Sequence, residues 1–409
     1  MVSLLFTSRF LGAGADLHVE LHDDGSVVTS WLDSDTHDRD TWIIDDEMHV
    51  HVHDVLALLT IAGIETSFPD VATVRMCSEL GMSRHDAQWL RIMPRWKVTK
   101  MLREITRDFL RVLDGPDGDY YTQVMGPTRR LVGSLMHAHV DRTRLEAHMH
   151  AGGGNIPALE SFRPDVDDLV QRPVYDFTSG RTGRMKVSQG PQILTLARQH
   201  RDVITSRWPG GRVVMLDFMS LEARVAALTA GKTPPDDLYA MIASDVLADM
   251  SRDDAKVVTL TAIYGGGQKL LQTQGLTDDR AQLALKALRE YFNIDNVVSQ
   301  LSSELSTSGA IRSIMGRRVT CPNSAPHIVY NSYVQASGVD VALLGFNGIW
   351  NEMQARQMKS GIMFLLQDAC ILDVHPDELM YIQDLCDVGS HVTCYEHARF
   401  PLRCKELTA

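Results

Sequence analysis

The stretch Val213-Val214-Met215-Leu216-Asp217-Phe218, followed by Met219-Ser220-Leu221-Glu222-Ala223-Arg224, constrains this chain more than any other. An apolar run of strand length predicts a buried strand, and its closing acid aims a carboxylate out of the sheet edge. Oxygen ligands placed there can bind a hard divalent cation. A second acid, Glu222, opens the helix that follows. A strand ending in Asp is also the pattern of a helix cap or a loop acid, so the segment alone leaves both readings open.

Three further segments bear on the choice. Ser251 to Gly267, SRDDAKVVTLTAIYGGG, predicts a helix with Arg252, Lys256, Leu260 and Tyr264 along one face. Two cations, an apolar residue and an aromatic form a graded surface for a triphosphate, a sugar and a base. The bland alternative is a solvated basic turn running into a core tyrosine. Gly361 to Pro376, GIMFLLQDACILDVHP, reads as a hairpin with Asp368 at its tip. Carboxylates on adjacent strand ends, Asp217 and Asp368, can hold two divalent cations about 4 Å apart, the arrangement used in phosphoryl transfer. Tyr175 to Arg198 interleaves Gly180, Gly183 and Gly190 with Arg181, Arg184 and Lys186, which suits close approach to a polyanion. No Gly-Lys-Ser/Thr follows, so it is not a Walker loop.

Together these segments resemble the polymerase domain of the family A DNA polymerases, the DNA polymerase I group that includes many phage replicases. The resemblance runs from about Arg129 to the C-terminus. Asp217 to Arg224 is similar to the first palm motif, Asp-Tyr-Ser-Gln-Ile-Glu-Leu-Arg, and Arg252, Lys256 and Tyr264-Gly265 to the fingers pattern Arg-x3-Lys-x3-Phe-x3-Tyr-Gly. Gln367-Asp368-Ala369 stands where the family has His-Asp-Glu. Arg181-Thr182-Gly183-Arg184 resembles the Thr-Gly-Arg motif, and Gly190 to Leu194 the segment after it. Gly316-Arg317-Arg318 and Asn331 to Gln335 resemble the Gly-Arg-Arg and Asn-x3-Gln elements.

The resemblance implies an α+β right-hand fold: a palm with an antiparallel sheet, helical fingers and a helical thumb. The implied divisions are a small α/β domain at 1–82, a thumb region at 83–170, palm at 171–230 and 309–409, and fingers at 231–308. It implies template-directed DNA synthesis from a primer 3′-OH, with primer-template DNA and deoxynucleoside triphosphates as partners. Asp217 and Asp368, with the Phe218 carbonyl, would bind two magnesium ions, for which manganese can substitute. Lys256 and Arg252 would hold the triphosphate, with Leu260, Tyr264 and Tyr239 around the incoming nucleotide. Glu222 would be the steric gate against a ribose 2′-OH. Arg184, Asn331 and Gln335 would probe the minor groove, whose acceptors are common to all base pairs, and Arg181, Gln367, Arg317 and Arg318 would add DNA contacts. A single-subunit RNA polymerase relative and a catalytically silent DNA-binding replisome subunit are the alternatives; Glu222 argues against the first, retention of both aspartates against the second.

The departures from the pattern are local. Ala369 replaces a glutamate and Gln367 a histidine beside Asp368; Leu260 replaces an aromatic, Ser220 a glutamine, and Tyr239 the histidine of an Asp-Ile-His turn. None removes an expected metal ligand.

A chain of 409 residues can bury two or more cores but is short for a polymerase with a full proofreading domain. Residues 1 to about 80 alternate apolar strands with acidic turns, and Val55 to Ile64 reads as a helix. The stretch Asp54 to Gly63, with Phe68-Pro69-Asp70, resembles part of a 3′→5′ exonuclease. That chemistry needs an Asp-x-Glu pair on the first strand, and Glu20, Asp23 and Asp24 lack the spacing, so a degenerate remnant without proofreading is expected. His49, His51 and His53 alternate on one strand face without a further ligand nearby. From Ser83 to Glu160 helical periodicity returns, in TKMLREITRDFLRVL and TRRLVGSLMHAHVDRTRLEAHM, before Gly152-Gly153-Gly154 breaks it.

The formal net charge of −12 reflects acid concentrated in stretches such as Asp33 to Asp46, whereas Arg172 to Arg212 is basic. Phosphate contacts depend on such local patches, so a salt-sensitive grip on DNA and a replisome or processivity partner are expected. Cys77, Cys321, Cys370, Cys386, Cys394 and Cys404 form no disulfide framework, and the C-terminal cysteines and His391 and His397 lack a Cys-x2-Cys knuckle for zinc. With no membrane-spanning run and no leader, the expected location is cytoplasmic, in the host if the chain is phage-encoded.

Overall fold

The computed structural model describes residues 1–11, 13–32, 41–44, 53–64, 75–76, 79, 93–151, 156–165, 167–248, 250–273, 275–322, 325–395 and 397–407. His49, His51, Phe68-Pro69-Asp70, Cys77, Gly152-Gly153-Gly154 and most of Asp33 to Asp46 lie outside the described residues. The chain divides into two compact units, 1–133 and 134–409, so the division falls inside the segment read as thumb. No described helix is long and apolar enough to cross a membrane.

In the first unit β1 (Val2–Phe6) pairs antiparallel with β2 (Asp16–Leu21), β2 with β3 (Val27–Leu32), and β1 parallel with β4 (Trp42–Ile44), giving the order β3-β2-β1-β4. Helix α1 (Val55–Ile61) starts at Asp54, whose carboxylate accepts from the Leu56 and Ala57 N–H groups and thereby caps otherwise unpaired donors. The same carboxylate pairs with Arg129 at 2.9 Å. Helix α2 (Arg95–Leu113) buries Val98, Ile105 and Phe109 at helical spacing.

The periodic stretch from Thr128 to Met149 departs from a continuous helix. Helix α3 (Gly126–Gly133) ends, Val140 pairs with Ile204 in a short ladder, and α4 (Arg142–His150) starts afresh on the Asp141 cap. The cause is tertiary: the strand pair satisfies backbone groups that a continuous helix would have used internally, and the His139–Thr205 side-chain bond at 2.8 Å holds it in place.

The second unit is organised by a four-stranded antiparallel sheet of β5 (Arg212–Phe218), β6 (Gly361–Leu366), β7 (Ala369–Val374) and β8 (Leu402–Glu406), in the order β6-β7-β5-β8. Strand alternation sends Val214, Leu216 and Phe218 to one face, where Phe218 meets Phe346 of the long helix at 5.8 Å between ring centroids. Val213 and Met215 face a second core containing Phe162, Ile193, Met363 and Ile371. Asp217 continues that second row, where the core runs out. Among the helices of this unit are α5 (Leu221–Thr229), α6 (Arg252–Ile263), α7 (Asp278–Tyr291), α8 (Ile294–Ser308) and the thirty-residue α9 (Pro326–Ala355), with α9 packing against α5, α6 and α8, and α6 against α7. The expected fingers segment is thus helical, and the hairpin at 361–376 is present with Gln367 and Asp368 at its turn.

Candidate active site

Asp217 and Asp368 are placed by backbone register. Asp217 stands opposite Ala369 across the β5–β7 ladder, and the Phe218 N–H donates to the Asp368 carbonyl at 3.0 Å. The two-residue turn holds Gln367 at a φ of 48°, in the left-handed region, while its side-chain amide donates to the Met185 carbonyl at 3.0 Å. That bond ties the hairpin tip to the Gly183-Arg184 segment. Burial, and then the charge of Asp217, push the Asp368 carboxyl up to about 6.

Both aspartates open into a cavity of about 480 Å³ that also takes in Arg184, Phe218, Ser220, Leu221, Glu222, Tyr239, Lys256, Leu260, Tyr264, Gln335, Gly338, Val339 and Gln367. Six separate stretches of chain meet there. The cavity therefore gathers Asp217, Phe218, Glu222, Tyr239, Lys256, Leu260, Tyr264, Arg184, Gln335, Gln367 and Asp368 from the residues singled out in the sequence.

Glu222 lies in the first turn of α5, behind Ser220 at a φ of 56°. Its carboxylate accepts from Arg184 at 2.5 Å and from the Tyr264 hydroxyl. Burial, reinforced by Glu222, raises the Tyr264 phenol pKa well above its usual range. Burial works against the charge on Arg184, but Glu222 and Tyr264 together outweigh it and raise the guanidinium pKa. Burial also pushes Tyr239 up to about 12. Ser251 caps α6 by accepting from the Asp254 N–H at 3.1 Å, which fixes where the helix starts and hence which face carries Lys256 and Leu260.

The remaining expected residues sit outside the cavity lining. Arg252 is paired with Asp237 at 2.8 Å and lies over the Tyr239 ring, 5.9 Å from its centroid. Asn331 is one helical turn before Gln335 on α9, and Arg181 is exposed. Arg318 is in a two-residue strand paired with Ile311–Arg312. Arg317 differs most from a free DNA contact: it is buried, with its guanidinium donating to the buried Asp340 of α9 at 3.0 Å. It packs beneath Gly183, where a Cβ would come within 1.5 Å of the guanidinium and where φ is +72°. Arg317 therefore shapes the turn that delivers Arg184, and loss of either partner of this buried pair would cost about 3–5 kcal/mol.

Two residues gained a role only from the fold. Arg224 is buried and donates to the carbonyls of Met219, Arg399, Pro235 and Asp236, clamping α5 to the Pro235-Asp236 loop and the terminal segment. Lys405, on β8, reaches Asp217 at 2.5 Å. Its distance from Asp217 along the chain hid that contact from any local pattern.

Among the described residues no three His, Cys, Asp or Glu side chains converge as a metal cage. The site is instead a carboxylate pair, one member of which is held reluctantly as an anion. Magnesium is commonly held by one or two carboxylates with substrate phosphates completing its shell, so this donor set suits that ion.

A family model for "DNA polymerase family A" matches residues 167–404. The chain belongs to DNA polymerase family A. It is a DNA-directed DNA polymerase by that membership. Among solved structures it is similar to the "POL domain of Pol1 from M. smegmatis complex with DNA primer-template and dNTP", with a TM-score of 0.69 and 13% identity, covering 100% of this chain and 95% of that one. At that identity the likeness speaks for the fold shared by this polymerase and its neighbour.

Proposed function

We propose that this polymerase extends a primer 3′-OH on a DNA template with deoxynucleoside triphosphates, releasing pyrophosphate, in a phage-type replication system and without proofreading. The observation that carries the reading is the single cavity joining Asp217 and Asp368 to Lys256, Tyr264, Glu222 and Arg184. Two divalent ions held by Asp217, Asp368 and the Phe218 carbonyl would supply activation of the attacking oxygen and stabilisation of the leaving one. Lys256 lines the same space and would meet triphosphate charge, with Arg252 at the preceding turn of α6. Tyr264 and Leu260 offer the flat and apolar surface for the nascent pair. Glu222 crowds the sugar edge and disfavours a ribose. Arg184 and Gln335 reach the minor groove of the primer-template, with Asn331 behind them on α9. In this reading 171–230 and 309–409 are palm, 231–308 fingers and 83–170 thumb.

The absence of proofreading is supported by β1, whose residues Val2-Ser3-Leu4-Leu5-Phe6 include no acid, and by Glu20, which lies within 4 Å of His18 and His22. A processivity partner fits a chain whose net charge is −12. The test is primer extension on a short template by the pure protein. Magnesium-dependent addition of deoxynucleotides, strong preference over ribonucleotides and no digestion of mispaired 3′ ends are expected. Duplex binding with no extension in magnesium or manganese would overturn the catalytic assignment, and equal use of ribonucleotides the assignment of Glu222.

A further inference from the structure

We propose that Lys405 is a tethered cation of the active site that competes with a divalent metal for Asp217 and so sets the metal concentration at which synthesis begins. The inference rests on Asp217 and Asp368 being the metal-binding pair. Asp217 is flanked on both sides by the ladder: Ala369 stands across from it on β7 and Arg403 across from it on the edge strand β8. Lys405 is opposite Met215, two residues from Asp217 on the same strand face, and a long side chain spans that diagonal. Its Nζ lies 2.5 Å from the Asp217 carboxylate, with the side chains 35% and 26% exposed.

The neighbouring positions therefore contribute no acid from one strand and two cations from the other. An ammonium is a compact point charge with three donors and no acceptor. While it holds one oxygen of Asp217, an arriving divalent ion loses that ligand and meets a like charge. The flexible four-carbon stem also lets the ammonium withdraw without moving the sheet. Lys405 thus keeps the metal-free Asp217 carboxylate neutralised and must be displaced for loading.

The test measures Mn2+ binding to the full chain, without DNA or nucleotide, from the electron paramagnetic resonance signal of free Mn2+. Lys405→Met and Lys405→Gln should bind the ion about fivefold more tightly than the parent, the scale of a partly exposed ion pair. Lys405→Arg, which keeps the charge, should show no such gain. The magnesium concentration for half-maximal primer extension should fall in parallel in both neutral variants. Unchanged or weaker Mn2+ binding in Lys405→Met and Lys405→Gln, with Asp217→Asn abolishing it, would overturn the competition while leaving the metal pair standing. Mn2+ binding unaffected by Asp217→Asn would overturn both.

Discussion

The cavity has two walls built on different principles. On the strand wall, Asp217 and Asp368 are fixed by ladder register and by the bond from the Phe218 N–H to the Asp368 carbonyl. On the helix wall, Glu222, Arg184 and Tyr264 come from separate segments and hold one another through side-chain bonds. Moving a carboxylate on the first wall requires bending a sheet whose central strand β7 is buried throughout. Opening the second requires only exchanging side-chain partners. In the proposed reading, the geometry of bond making would rest on backbone, whereas accommodation of each new nucleotide would fall to a clasp that can open.

If that division holds, the strand wall tolerates no loss. Asp217→Ala or Asp368→Ala should reduce single-nucleotide incorporation by more than about 10³-fold, or roughly 4 kcal/mol, because the other acid of the cavity, Glu222, is already engaged by Arg184 and Tyr264. Primer-template affinity measured by fluorescence anisotropy should change little. Retained turnover in either variant would break the contrast at its strongest point.

The helix wall should yield a smaller, graded loss. Lys256→Ala removes a cation that faces the cavity from α6, and removal of one such electrostatic contact typically costs about 10²–10³ in rate. Pre-steady-state incorporation should show the fall chiefly in the maximal rate. A loss confined to nucleotide affinity would mean that Lys256 binds substrate and transition state equally.

The two walls also differed in how readable they were. Asp217 was visible because an apolar run of strand length closed on an acid, and Asp368 because two such runs flanked a polar turn. Lys256, Leu260 and Tyr264 followed from helical spacing, whereas the Ser251 cap became visible only in the fold. The clasp around Glu222 was not readable, since it joins residues 38 and 42 positions away. Arg317 resembled a DNA contact in sequence, yet a buried carboxylate on α9 and a glycine with no room for a Cβ turned it inward. Lys405 was hidden for the same reason at longer range: strand order, set by the whole sheet, decided its neighbour. Periodicity reports which face a residue takes, whereas partners across the fold depend on contacts that no window contains.

The smallest expected effect probes the cost of confining two acids on the rigid wall. Burial and Asp217 raise the Asp368 carboxyl from 3.8 to about 6, so folding disfavours its charged form. Below pH 4 the group is protonated in both folded and unfolded chains and contributes nothing. Between pH 4 and 6 the unfolded chain ionises first, so stability falls as pH rises, and above 6 the penalty is constant. Asp368→Asn removes that penalty. In EDTA, denaturant melts should show the variant more stable than the parent by about 1–3 kcal/mol at pH 8, with the gap closing towards pH 4. Saturating magnesium should shrink the gap at pH 8, because an ion bound to the folded parent stabilises it by mass action. A gap that did not vary with pH would mean that Asp368 is not held against its charge, and the strand wall would then owe its geometry to packing alone.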